Sequence, residues 1–187
     1  MKASFILFML SFSSFAKLQP VDYDRRICHV IQSNWGWARA LKRVSKDYDI
    51  SPGLLLSVIY HESGFRPNVR PKPYMVFGVI PWQVSSAYGY GQIKQETWDW
   101  YKSHNPGWFQ SRTQFPDTLN FIGWYYSLFL KKTETKTVHR DFYLAYHEGL
   151  GGYQRGTYHG NDWLIKKAES VALRAKLYDE KLNDCLR

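Results

Sequence analysis

The chain has 187 residues, 44% of them apolar, with 8 Trp, 14 Tyr and 11 Phe, and 25 Lys and Arg against 16 Asp and Glu give it a formal charge of +9. That length and apolar content suffice for one domain with its own core, and so much aromatic surface excludes a solvated, disordered chain. Two cysteines exclude a disulfide-dense scaffold or a Cys-rich zinc fold, while the charge favours an anionic partner such as a polymer, a membrane surface or a cell wall.

Residues 1–16 read as a secretory leader. Lys2 supplies the charged start, Phe5–Leu10 begins the apolar run, and Ser14-Phe15-Ala16 is a small-x-small cleavage site. The alternative is an uncleaved membrane anchor, but the apolar run falls short of the ~20 residues that a spanning helix needs. The cleavage site lacks the following Cys of a lipid anchor. The expected mature domain is therefore residues 17–187, located in the periplasm or secreted. An oxidising compartment permits a bond between Cys28 and Cys185, which lie near the two ends of the mature chain. Two buried thiols are the alternative, and neither Cys has the C-x-x-C neighbour of a redox catalyst.

Helical patterns dominate the mature chain. Residues 35–48 form an amphipathic stretch with Trp37, Leu41 and Val44 on one side. Ser51-Pro52 is a helix start, with Ser as N-cap and Pro in the first turn, and that helix should end at Gly64 before Pro67. Residues 66–86 contain Pro67, Pro71, Pro73 and Pro81 and read as a loop or short hairpin. Further helices are expected over 95–103, 117–132 and 137–148, the last ended by Gly149, Gly151 and Gly152. A long closing helix over 161–182 has Asn161 as its N-cap. The expected architecture is one mainly α-helical domain with an irregular middle segment.

The helix after Ser51 carries the most informative side chain. Leu54, Leu55, Val58 and Ile59 form a core-facing stripe, and Glu62 continues it four residues after Val58. A carboxyl at the end of a buried stripe is partly desolvated, and the helix C-terminus also disfavours its negative charge. Both effects favour a protonated acid near neutral pH, as proton donation to a glycosidic oxygen requires. The alternative is a Glu that reaches water or pairs with Arg66. His61-Glu62 and His147-Glu148 begin like H-E-x-x-H, but Phe65 and Gly151 occupy the second His position, so neither predicts a zinc site. No metal or other cofactor is expected.

Three segments resemble the soluble lytic transglycosylases, relatives of goose-type lysozyme. Glu62-Ser63-Gly64-Phe65-Arg66-Pro67 resembles their E-S-x-F-x-P helix end. Ala87-Tyr88-Gly89-Tyr90-Gly91-Gln92-Ile93 resembles G-A-x-G-L-M-Q-I, and Ala145-Tyr146-His147-Glu148-Gly149 resembles A-Y-N-A-G. The resemblance spans roughly residues 50–153 and implies a lysozyme-like fold acting on peptidoglycan glycan strands. It implies cleavage of the β-1,4 bond between N-acetylmuramic acid and N-acetylglucosamine without water: one Glu protonates the leaving oxygen, then acts as base on the sugar C6 hydroxyl, leaving a 1,6-anhydro end. Carried onto this chain, Glu62 is that acid/base, Gly89, Tyr90 and Gln92 line the sugar site, and Tyr146 holds the carboxyl. Ser85 or Ser86 takes the place of a Ser that often assists the Glu.

Departures from the family pattern are informative. His147 and Glu148 stand where the family has Asn and Ala, Tyr90-Gly91 replaces Leu-Met, and Pro71–Trp82 reads as an insertion near the cleft. Two-carboxylate glycosidases need a second acid within about 5–10 Å. Glu148 falls about 200° around the helix from Tyr146, so if Tyr146 faces Glu62, Glu148 turns away. A single-acid mechanism is expected, with a hydrolysing muramidase or chitinase, or an inactive glycan-binding module, as alternatives.

Ten aromatics between Tyr74 and Phe109 are expected to be about two-thirds core, with Tyr90 and Tyr146 in the cleft. Phe121, Trp124, Tyr125, Leu128 and Phe129 recur at helical spacing as packing residues. The basic residues are dispersed and form no nucleic-acid signature. A monomer is expected, acting on the wall or recruited by cell-envelope machinery.

Overall fold

The computed structural model describes residues 20–72, 74–76, 80–82 and 85–186. Among them it forms α1 (Pro20–Ser33), α2 (Trp37–Tyr48), α3 (Pro52–Ser63), β1 (Tyr74–Val76), β2 (Ile80–Trp82), α4 (Gln95–His104), α5 (Phe115–Lys132), α6 (Val138–Glu148), α7 (Leu150–Arg155) and α8 (Asp162–Cys185). The leader expected at residues 1–16 lies outside the described residues. No helix among the described residues is long and apolar enough to cross a membrane.

Helix α3 is the centre of the core. Leu54, Leu55, Leu56, Ser57, Val58 and Ile59 are all buried, so the helix is enclosed around its circumference and the expected stripe is broader than one face. Its partner along its length is α8, while α2 packs on α5 and α6 packs on α7 and α8. Gly53 permits the close α3–α8 approach: a Cβ there would lie 2.1 Å from the Ala175 carbonyl oxygen. Ser57 Oγ satisfies its burial by donating to the Val171 carbonyl at 2.8 Å.

The ends of α3 follow local chemistry. Leu54 N–H donates to Ser51 Oγ, Pro52 opens the first turn, and Gly64 ends the helix at φ 60°. Ser51 Oγ in turn donates to Asp179 Oδ2 on α8, and Gly53 N–H donates to Asp179 Oδ1 at 2.7 Å. Ser51→Ala removes the cap and one partner of Asp179, and is expected to lower unfolding stability by about 1 kcal/mol in urea titration. An unchanged midpoint would show that the cap contributes nothing.

Two helices escape periodicity. α1 buries Ile27 and Ile31, a face too narrow to stand out, and is fixed to α8 by the Cys28–Cys185 disulfide. α7 begins at Leu150 immediately after Gly149, so Gly151 and Gly152 lie within a new helix rather than in a terminating loop. The proline-rich insertion forms an antiparallel hairpin, with Met75 opposite Pro81.

The burial of the aromatic segment is described for seven of the ten residues, those from Tyr88 to Phe109. Tyr90, Trp98 and Tyr101 are buried, Tyr88 lies 4.1 Å beneath the Arg70 guanidinium, and Trp100, Trp108 and Phe109 are exposed. Phe77 lies outside the described residues. On α5, Phe121, Trp124, Tyr125 and Phe129 are core residues and Leu128 packs against them.

Candidate active site

The C-terminal turn of α3 places Glu62 between Tyr143 on α6 and Lys167 on α8. Its side chain is 13% exposed, so the carboxyl is largely desolvated yet still touches solvent. Tyr143 Oη on α6 donates to Glu62 Oε1 at 2.6 Å. Lys167 Nζ on α8 lies 4.0 Å from the same oxygen. Arg66 does not take the pairing role open to it in the sequence; its Nε donates to the Ser63 carbonyl at 2.8 Å.

Burial is the largest influence on the Glu62 carboxyl and lifts it above the usual carboxylate range; Lys167, the Tyr143 hydrogen bond and His147 pull it partly back. The folded state therefore holds this proton more tightly than the unfolded chain. Its contribution to stability is fully present below the unfolded-state pKa and is lost as pH rises through the folded-state value.

The hydrogen bond to the Glu62 carboxyl comes from Tyr143 rather than from Tyr146. Tyr143, one helical turn earlier on the same face, makes that bond, while Tyr146 Oη donates to the Gly91 carbonyl at 2.8 Å. Tyr146 remains beside the acid: burial and the negative charge of Glu62 push its phenol well up. The i, i+3 spacing of the two tyrosines is a signal that either could face α3.

The 85–93 segment supports the site through its backbone. Gly89 has φ 81°, and a Cβ there would lie 2.0 Å from the Arg112 carbonyl oxygen. Gln92 adopts φ 47°, and its Nε2 donates to the carbonyls of Val69 and Gly89, both at 2.9 Å. That amide nitrogen thus ties two loops together. Tyr90 is a correction: it is 7% exposed and packs edge-on against Trp37 and Phe115, because the apolar side of the turn faces the core rather than the cleft. Arg112, unremarked in the sequence, clamps this loop by donating to the carbonyls of Ser86 at 2.9 Å and Ile93 at 2.7 Å.

The two serine candidates serve local turns. Ser85 Oγ accepts from Ala87 N–H, while Ser86 Oγ accepts from Gln95 N–H at the start of α4 and donates to Glu96. His147 pairs with Glu148 at 3.1 Å, and Thr157 Oγ1 donates to the other Glu148 oxygen at 2.6 Å. Those two contacts hold the Glu148 carboxyl below its ordinary range. His147 and Glu148 line a cleft of about 140 Å³ with Lys94, Thr97 and Tyr146. Asp99 is exposed and bound to Gln95 and Lys102, and Asp141 is bound by Thr135, Thr137 and Arg140. The site thus combines one partly enclosed carboxyl, a phenol donor and a neighbouring cation.

A family model described as the transglycosylase SLT domain matches residues 3–185. The chain belongs to this family. The SLT domain accounts for the mainly helical, lysozyme-like fold and gives the protein a peptidoglycan-directed function of the transglycosylase type at the level of the family. No curated protein and no solved structure matches the chain.

Proposed function

We propose that this SLT domain is a lytic transglycosylase that cleaves the β-1,4 bond between N-acetylmuramic acid and N-acetylglucosamine and leaves a 1,6-anhydro-muramyl end. Glu62 is its single general acid and base. The observation that carries this reading is the environment of Glu62: a largely enclosed carboxyl, raised by burial and hydrogen-bonded by Tyr143. The protonated acid donates to the glycosidic oxygen as the bond to the muramyl anomeric carbon breaks. The resulting carboxylate is stabilised by the Tyr143 hydroxyl and the Lys167 charge, then accepts the proton of the C6 hydroxyl as that oxygen closes on the anomeric carbon. Proton count is balanced, and Glu62 returns to its acid form.

Water attack would call for a second, positioned carboxylate. Glu148, Asp99 and Asp141 each have partners elsewhere, which supports the anhydro route over hydrolysis. Residues 1–16 are the proposed leader and 17–187 the exported domain, in the periplasm or secreted. The Cys28–Cys185 bond supports an oxidising compartment.

The test is digestion of purified peptidoglycan sacculi followed by mass spectrometry of the released fragments. Anhydro-muramyl ends are expected; reducing ends would establish a hydrolase, and binding without release a glycan-binding module. Tyr143→Phe removes the donor that favours ionised Glu62. It is expected to lower kcat about tenfold and to move the Glu62 limb of the pH profile to higher pH. An unshifted profile would remove Tyr143 from this role.

A further inference from the structure

Lys167 has a role beyond its proximity to the acid. Its ammonium lies 4.0 Å from Glu62, outside hydrogen-bond range, and its side chain remains 23% exposed. The ammonium lies over the Tyr143 ring at 5.5 Å and over the Trp163 ring at 5.1 Å, cation–π contacts that hold it in place without neutralising its charge. Tyr146, His147 and His61 also lie near the Glu62–Lys167 pair; His147 is paired with Glu148 and His61 with Arg174. In the proposed reaction Glu62 begins as the neutral acid, which does not balance the lysine charge. A partly buried ammonium facing a neutral carboxyl favours an anion brought by the ligand.

Trp163 stands four residues before Lys167, on the same face of α8. Trp163 is 60% exposed, while Leu164, Val171 and Tyr178 on the neighbouring stripe are fully buried. It also lies 5.9 Å from the His147 ring in an edge contact, beside the cleft that His147 lines. An exposed aromatic face beside a cation suits a sugar ring that carries an acidic substituent.

We propose that Trp163 and Lys167 form a recognition rim for muramyl residues. Trp163 stacks on the sugar, and Lys167 pairs with a carboxylate borne by its lactyl substituent, either the free lactyl group of a peptide-free strand or a carboxylate of the attached peptide. The proposal rests on the transglycosylase reading for the substrate. It gives the site a preference over chitin, whose N-acetylglucosamine units carry no carboxylate.

The test uses Glu62→Gln protein, in which residue 62 mimics the neutral acid and no turnover intervenes. Calorimetry compares chitotetraose, a peptide-free muramyl tetrasaccharide and its peptide-bearing form. At least one muramyl glycan should bind about tenfold more tightly than chitotetraose, and added salt should reduce that preference. The charged glycan that is preferred identifies the source of the carboxylate. Adding Lys167→Met should bring the three affinities within about twofold of one another, while Lys167→Arg keeps the preference. Trp163→Ala should weaken all three ligands. An unchanged preference in Lys167→Met, with the variant folded by circular dichroism, overturns the proposal. If wild-type protein releases no anhydro ends from sacculi, the transglycosylase reading fails instead; normal release together with an absent muramyl preference defeats the rim alone.

Discussion

Glu62→Gln should reduce release of anhydro-muropeptides by about three orders of magnitude, within the range expected for loss of a general acid. Gln keeps the shape of Glu and an oxygen that can accept from Tyr143, so the packing around residue 62 should survive. What it lacks is the exchangeable carboxyl proton needed in both halves of the proposed reaction. The same substitution should stabilise the fold at neutral pH. Burial disfavours ionised Glu62, and a neutral amide is free of that cost. The gain in melting temperature should be absent in acid and should grow as pH rises through the folded-state pKa of the wild-type carboxyl. Sacculus digestion and a pH series of thermal melts measure the two effects separately. Full activity in the variant would end the assignment of Glu62, and a stability difference independent of pH would contradict the account of its burial.

Reducing the disulfide should produce the largest stability loss. Cys28 and Cys185 are bonded across a sequence separation of 157 with Cα atoms 5.8 Å apart. In the loop-entropy account, releasing a loop of that length costs about 5 kcal/mol. For a chain of this size the melting temperature should fall by at least about 10 °C. The double substitution Cys28→Ser and Cys185→Ser provides the same comparison without reductant. Gln32 Nε2 still donates to the Cys185 carbonyl at 3.1 Å, so part of the α1–α8 contact should persist without the covalent bond. An unchanged melting temperature in both experiments would remove the disulfide from the stability of the fold.

Local chemistry makes much of this fold legible. The Ser51-Pro52 start, the Gly64 stop and the Asn161 cap depend on a few neighbouring residues, and each falls where the sequence predicts. The helices with broad apolar faces are also readable. α1 is not, since Ile27 and Ile31 make a short stripe, and α7 is hidden by glycines that ordinarily interrupt helices. The same division runs through the site. Glu62 is visible because it continues the pattern of its own helix. Tyr143 and Lys167 do not stand out, because their roles depend on how α6 and α8 meet α3, and the closing helix lies beyond the three motifs. Tyr90 is ambiguous in the sequence because a Tyr in a glycine-rich turn can face either way. Here packing against Trp37 and Phe115 decides its direction.

The course of α8 beside α3 gives the motif-bearing segment a dependence on distant sequence. Asp179 grips the beginning of α3, and Lys167 reaches the carboxyl at its end. One helix thus acts as a gauge against both ends of another, setting the depth at which the acid sits. Sliding α8 by a single turn, about 5.4 Å, would uncouple the cap and displace the cation together. Residues 50–153 contain the three motif segments yet are not a transplantable catalytic unit; a fragment ending before α8 should retain the motifs while losing the electrostatic setting of Glu62.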